Sequence, residues 1–260
     1  MAGIITLTTD FGLSDGYVGA MHGVIASLNP EARIVDITHR IGRQDVRQAA
    51  YVLQTVYPYF PKDVIHVVVV DPGVGSERRA IALRTHRACF VAPDNGVLSY
   101  IAAGEPVLET VELTNPSYWL PEVSSTFHGR DIFAPVAAHL SLAVPLSSLG
   151  RPVTQVVTFP MPEPRLALDG VLHGHVLHVD SFGNVITDIR EDQLAGMKNA
   201  HVRIAGRSIE GIGRTYATGE KGTLVALVGS AGFLEIAVRE GNARATLGVT
   251  VGMDVLVDPR

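Results

Sequence analysis

Five side chains capable of chemistry stand beside glycine turns. They are Asp10 in Thr9-Asp10-Phe11-Gly12, Asp71 in Asp71-Pro72-Gly73-Val74-Gly75, Arg78 just beyond, His128 in Ser125-Thr126-Phe127-His128-Gly129-Arg130-Asp131, and Asp180 in Asp180-Ser181-Phe182-Gly183-Asn184. A carboxylate at the end of a strand, with an arginine close enough to turn back on it, is where a reacting group is expected, and an imidazole at a helix entrance is kept from its charged form by the helix dipole. On residue types alone Asp71 also fits a turn cap and Arg78 a surface cation. A single histidine is usually structural, but one flanked by Gly, Arg and Asp at a helix start is the better candidate. Other chemistries lack their parts. The chain carries no GxxxxGK[ST], GxGxxG, GxSxG or HExxH motif and no Cys/His cluster. His173, His175 and His178 lie on strand-like sequence, where alternation sends 178 to the face opposite the other two, so no zinc site is expected there.

Those residues must be positioned by the elements around them. Val64–Val70 is an apolar, β-branched run that reads as a buried parallel strand, and it ends on Asp71. Ile4–Thr9 is a second such strand and ends on Asp10. In open α/β sheets the ligand crevice lies at the carboxyl ends of strands, where both carboxylates stand. Tyr17–Leu28 and Asp45–Val56 carry helical spacing, the first stopped by Asn29-Pro30 and the second opened by Asp45 as N-cap. Ala32–Ile37, Ala80–Thr85 and Ala88–Ala92 read as further strands, and Pro93-Asp94-Asn95-Gly96 as a turn. Pro135 fits the first turn of the helix that His128 precedes. The alternation predicts an α/β domain over residues 1–158 with a mainly parallel central sheet. From Thr158 the texture changes. Residues 159–168 are Pro-rich and read as a linker, and residues 169–260 alternate with period two, the pattern of a smaller all-β, barrel-like domain.

Composition bounds the partners. The 260 residues are 47% hydrophobic and 18% charged with formal net charge -5, a folded composition with no basic surplus for nucleic acid. One cysteine, Cys89, excludes an intrachain disulfide framework and sits in an apolar run that predicts a core thiol. There is no apolar run long enough to span a membrane, and the N-terminus lacks a basic n-region, so no membrane partner and a cytoplasmic location are expected.

The stretch from Asp180 to Asn184 breaks the alternating pattern of the second domain. Phe182 offers a flat apolar surface, and Asn184 the donor and acceptor that an adenine edge requires. Taken alone, it reads better as a strand-connecting turn with Gly183 at positive φ.

Six motifs in order then carry a resemblance: Thr9–Gly12, Asp71–Gly75, Ala92–Gly96, Ser125–Asp131, Asp180–Asn184 and Gly229-Ser230-Ala231-Gly232. Together, over nearly the whole chain, they closely resemble the S-adenosyl-L-methionine (SAM) hydroxide adenosyltransferases, adenosine-forming SAM hydrolases related to the SAM-dependent fluorinase and chlorinase. The resemblance implies a homotrimer with SAM held between the N-terminal domain of one subunit and the C-terminal domain of its neighbour. It implies a catalytic triad at Asp71, Arg78 and His128, with Arg78 orienting Asp71 through an ion pair. It implies ribose binding by Asp10, and further substrate contacts at Asp180, Phe182, Asn184, Ser230, Glu235 and the backbone of Val238. SAM is the substrate, and neither a cofactor nor a metal is expected. The halogenases have Tyr where this chain has Asp71, Thr where it has Val74, and Ser where it has Gly129. An anionic carboxylate repels halide and favours water, which argues against a halogenase. A non-catalytic SAM or adenosine sensor needs only the binding residues, so retention of the triad argues against that alternative too.

Overall fold

The computed structural model describes residues 3–197 and 199–259. The chain divides into two compact units, Met1–Phe159 and Pro160–Arg260.

The first unit runs β1 (Ile4–Thr9), α1 (Tyr17–Leu28), β2 (Arg33–Thr38), α2 (Val46–Val56), β3 (Val64–Val69), β4 (Ala80–Thr85), β5 (Ala88–Pro93), α3 (Ser99–Gly104), β6 (Val107–Leu113), α4 (Ala134–Ser141) and β7 (Gly150–Pro152). Its seven strands form one sheet in the order β2-β1-β3-β5-β4-β6-β7. The sheet is buried on both faces. Met21 and Ile25 of α1, with Phe133 to Ala138 around the start of α4, pack on Ile65, Val67 and Val69. Ala49 and Leu53 of α2, with Ile101 of α3, pack on the opposite-facing Val68, Phe90 and Leu83. Double-sided burial explains why β3, apart from His66, is a continuous apolar run rather than an alternating one.

The expectation of a mainly parallel sheet is corrected. Strands β2, β1, β3 and β5 are mutually parallel, but β4 pairs antiparallel with β5 and with β6, and β6 antiparallel with β7, so the sheet is mixed. The cause is local. Only His86 and Arg87 separate β4 from β5, and a link that short closes a hairpin, whereas a parallel pair needs a crossover of a dozen or more residues.

The second unit runs β8 (Arg165–Leu166), β9 (Leu172–Val179), β10 (Val185–Arg190), β11 (His201–Ile204), β12 (Arg207–Glu210), β13 (Leu224–Val228), β14 (Phe233–Val238), α5 (Ala243–Leu247) and β15 (Asp254–Asp258). Its antiparallel sheet has the order β12-β11-β15-β9-β10-β14-β13, with β8 on β9. A bridge between Gly213, just past β12, and Leu227 of β13 brings the two ends together into a nearly closed, barrel-like sheet. Val176, Val185, Val202, Ile236 and Val257 fill its interior.

Within the first core, His66 is fully buried, with Nδ1 2.7 Å from the Thr6 hydroxyl and its ring stacked on Phe90. Burial, and then the charge of Arg87, push this imidazole down to about 4. Its unfolded value is near 6.5, so the unfolded chain takes up a proton between those limits that the folded chain refuses. The contribution is present above pH 6.5 and is lost as the pH falls toward 4, up to about 3 kcal/mol. Denaturant unfolding at several pH values should show this acid loss, and His66→Phe should flatten it. An unchanged slope in the variant would mean that the imidazole accepts its proton inside the fold.

Candidate active site

β1 and β3 are adjacent and parallel, with Thr9 beside Val69, so the turns that follow them leave the same edge of the sheet. This brings Asp10 and Asp71 to one cleft of about 280 Å³, whose walls also include Phe11, Gln44, Phe127 and His128.

The turn after β3 folds Arg78 back onto Asp71. Arg78 Nε lies 2.9 and 3.0 Å from the two carboxylate oxygens, and Nη2 donates to Oδ2 at 2.5 Å. Both side chains are nearly dry, at 10% exposure for Arg78 and 5% for Asp71. The same Nη2 stands 2.7 Å from Nδ1 of His128. A guanidinium only donates, so Nδ1 must accept and the imidazole proton sits on Nε2. Burial, followed by the positive charge of Arg78, lowers the His128 pKa below its usual value, while Asp71 and Asp131 act in the opposite direction. The site therefore combines an anionic acceptor with a neutral imidazole whose Nε2–H is free to donate.

His128 arrives from the loop that opens the α4 segment. A five-residue π-helical turn, Gly129–Phe133, precedes α4 and leaves His128 at its start. Such wide turns recur at functional sites. Pro135 stands in the first turn of α4, as its sequence position predicts. Gly75 fixes how the two loops meet. Its φ is +77°, and a Cβ there would lie 2.4 Å from the Ser125 carbonyl oxygen, so only glycine allows the β3 turn to dock on the loop carrying His128. The Pro93–Gly96 turn buttresses the same region. Asn95 Nδ2 donates to the Val70 carbonyl at 2.8 Å, Asp94 pairs with Arg79, and Asp94 Oδ1 accepts from Val157 N–H.

Asp10 Oδ2 accepts the Gln44 N–H at 2.8 Å, an interaction the sequence did not signal because Gln44 sits at φ +61° without being glycine. One wall is aromatic: Phe127 stands edge-on to both Phe11 and Tyr17, at 5.6 and 5.1 Å. None of these three was singled out as a site residue, although Phe11 and Phe127 lie inside the quoted motifs.

The other expected residues belong to the second unit. Asp180 closes the turn between β9 and β10: Oδ1 accepts from the backbones of Phe182 and Asn184, and Oδ2 from Asn184 Nδ2 at 3.0 Å. Phe182 is left 75% exposed. Glu235 on β14 is buried and accepts from the Tyr216 hydroxyl at 2.6 Å. Burial raises the Glu235 pKa, the Tyr216 hydrogen bond lowers it, and the charge of Asp180 raises it further. Burial, the hydrogen bond to Glu235 and the two carboxylate charges push Tyr216 up to about 12. Asp180, Asn184, Glu235 and the unanticipated Tyr216 thus form a polar group beside an exposed aromatic ring. Ser230 is exposed in the Gly229–Gly232 turn, whose ends are joined by the Gly232 N–H and the Gly229 carbonyl. The Val238 side chain packs in the core, and its carbonyl accepts from Gly241.

Comparison with known proteins finds relatives along nearly the whole chain. Residues 5–150 match the family model described as SAM hydroxide adenosyltransferase N-terminal domain, and residues 174–256 the corresponding C-terminal domain. The chain is 44% identical over 251 residues to a Salinispora arenicola protein named (R)-S-adenosyl-L-methionine hydrolase, covering 95% of each. A Thermus thermophilus protein of the same name is 40% identical, over 95% of this chain and 96% of its own. A fluorinase from Nocardia brasiliensis is more distant, at 27% over 98% and 96%. A Thermotoga maritima crystal structure is 38% identical with a TM-score of 0.92, covering 98% of this chain and 99% of that one.

The glycine argument can be checked directly. Gly75→Ala should destabilise the first unit by at least about 1 kcal/mol in denaturant unfolding, from backbone strain alone. Gly23→Ala, in the middle of α1 with open space around it, should be neutral or stabilising by up to about 1 kcal/mol. Equal effects at the two positions would remove the special role given to Gly75.

Proposed function

The chain belongs to the SAM hydroxide adenosyltransferase family, and on that premise we infer that it hydrolyses SAM, water attacking C5′ to give adenosine and L-methionine. The observation that carries the mechanism is the single guanidinium nitrogen of Arg78 that contacts both Asp71 and His128 above one cleft. In this reading Asp71 accepts a hydrogen bond from the attacking water on a lone pair that Arg78 leaves free, and His128 Nε2–H donates to the water oxygen. The water is thereby fixed in position and its oxygen lone pair aimed. As the O–C5′ bond forms, the C5′–S bond breaks and its electron pair leaves on sulfur. The sulfonium becomes a neutral thioether, so the leaving group needs no proton. The water sheds its second proton by way of Asp71 to solvent, which balances the reaction as SAM plus water giving adenosine, methionine and a proton.

Asp10 is assigned to the ribose hydroxyls, which would fix the face of C5′ presented to the water. The cleft of about 280 Å³ lies below the size that encloses a drug-sized ligand, about 300–1,000 Å³, which supports reading it as part of a larger site. The remainder is assigned to the second unit of a neighbouring copy in a homotrimer. There Phe182 would stack on adenine, Asn184 would meet its edge, and Asp180 with Glu235 would face the methionine ammonium. Ser230 and the Val238 backbone complete that assignment. Such a reaction needs no cofactor, since SAM is itself the electrophile. The single cysteine and the metabolic substrate fit a cytoplasmic location, and among the described residues no helix is long and apolar enough to cross a membrane. Halogenation is disfavoured by the anionic Asp71. A serine at Gly129 would also be tight, because a Cβ there falls 3.2–3.4 Å from the Phe127 and Phe11 rings.

Incubation with SAM in 18O-labelled water should place the label in adenosine, with or without added halide. A 5′-halo-adenosine would overturn the assignment to hydrolysis. Asp71→Asn and His128→Ala should each lower kcat by about 10²–10⁴-fold while SAM affinity changes little. Full activity in both would refute the triad. Because the His128 pKa is lowered, protonation that breaks its bond from Arg78 should come only below pH 6.5, so the acid limb of kcat/KM should have its midpoint below that value. A midpoint above 7 would contradict a neutral His128.

A further inference from the structure

Away from the cleft, on the α1 side of the edge strand β2, three side chains meet that the reaction does not use. His22 projects from α1, Asp36 from β2, and His39 from the residue after the end of β2. Their ligand-type atoms all lie within 4.8 Å of one another. Asp36 Oδ1 is 2.9 Å from His22 Nε2 and 3.1 Å from His39 Nε2. We propose that His22, Asp36 and His39 form a binding site for a divalent transition-metal ion, with zinc as its natural occupant.

The decisive atom is His39 Nε2. The side chain is 3% exposed, and Nε2 is buried without a hydrogen bond of good geometry, 3.1 Å from Asp36 Oδ1. On the far side of the ring, Nδ1 is 2.9 Å from the Thr9 hydroxyl oxygen. That hydroxyl has lone pairs enough to accept from Nδ1–H as well as from the Phe11 N–H it already holds. In that tautomer Nε2 carries a bare lone pair beside a carboxylate oxygen, two acceptors that a cation would join. Metal-bound histidines are oriented in this way, through a hydrogen bond from the ring nitrogen opposite the metal.

Two imidazoles and one carboxylate suit zinc, which binds nitrogen at 2.0–2.1 Å and oxygen at 2.0–2.2 Å, so that tetrahedral ligand atoms stand about 3.4 Å apart. The observed 2.9 and 3.1 Å need to open by only a few tenths of an ångström. His22 and Asp36 are half-exposed, leaving the fourth position to water. Such an ion would pin the edge strand to α1. Through His39 it would also brace Thr9 and the Gly12 N–H, which donates to the His39 carbonyl at 2.7 Å, and so the turn bearing Asp10. It takes no part in the chemical step.

The test uses the full-length protein stripped with a chelator and then titrated with Co2+, and with Zn2+ against a chromophoric chelator. Saturable 1:1 binding, visible bands of low-coordinate cobalt and a zinc-dependent rise in melting temperature are expected. His22→Ala and Asp36→Asn should each weaken binding by more than about 100-fold, and Thr9→Val, which removes the orienting hydroxyl, by about 10–100-fold. His22→Ala keeps a helix-favouring residue at a half-exposed position, so its metal-free melting temperature should match the unsubstituted protein. Absence of saturable binding would overturn the proposal. So would binding equally tight in His22→Ala and Asp36→Asn, which would put the metal on another histidine, such as His175 beside Asp188.

Discussion

A single guanidinium organises the cleft of the first unit. Arg78 grips both oxygens of Asp71 and, through the same terminal nitrogen, the Nδ1 of His128. Asp71 and His128 come from parts of the chain that share no element, one at the end of a central strand and one at the mouth of a π-helical turn. Arg78 is the group that makes them a unit. Removing it would leave a nearly dry carboxylate without its partner, the situation in which a broken buried ion pair costs about 3–5 kcal/mol. It would also free the His128 tautomer. Position, charge and proton placement therefore depend on one residue, and the glycine at position 75 exists to let the turn carrying it close against the Ser125 backbone.

The rest of the first unit can be understood as support for that contact. Parallel pairing of β1 with β3 puts two strand ends, and hence two carboxylates, on one edge. The antiparallel half of the sheet plays a different part. Its β4–β5 hairpin places Arg79 and Asp94 at the same end, where their ion pair and the bond from Asn95 to the Val70 carbonyl hold the loop from below. Phe11 and Phe127 line the cleft beside Gly129, and Tyr17 packs against both rings.

Local rules in the sequence reached a long way. α1 runs from Tyr17 to Leu28 as its spacing predicts, and Asp45 caps α2 by accepting from Gln48. Asp10, Asp71, Arg78 and His128 do come together around one cleft. Three kinds of feature were not legible. The mixed sheet was missed because β4 and β5 look like any buried strands. What distinguishes them is the two-residue link, a property of the connection and not of the strands. The π-helical turn and the positive φ of Gln44 have no compositional mark, since tertiary packing imposes both. Tyr216 sits in a polar loop with no motif, and becomes relevant only because the barrel brings β13 and β14 under it. Motif-based reasoning also passes over His22, Asp36 and His39, whose spacing matches no metal signature. They meet because a helix crosses the edge of a parallel pair, and sequence alone does not say where that crossing falls.

That crossing bears on the cleft through one residue. Thr9 is fully buried at the end of β1, and its hydroxyl holds both the Phe11 N–H and the ring of His39. Asp10 follows directly, and its carboxylate is fixed from the other side by the Gln44 N–H. The turn that presents Asp10 is thus held by two side-chain contacts of opposite origin, one from the end of β2 and one from the loop before α2. The direction of the Asp10 carboxylate is therefore already set in the free protein. An edge strand is the weakest place in a sheet to anchor such a turn, because half its backbone groups lack a partner strand. A tie between β2, α1 and Thr9 remedies that weakness where the geometry of Asp10 depends on it.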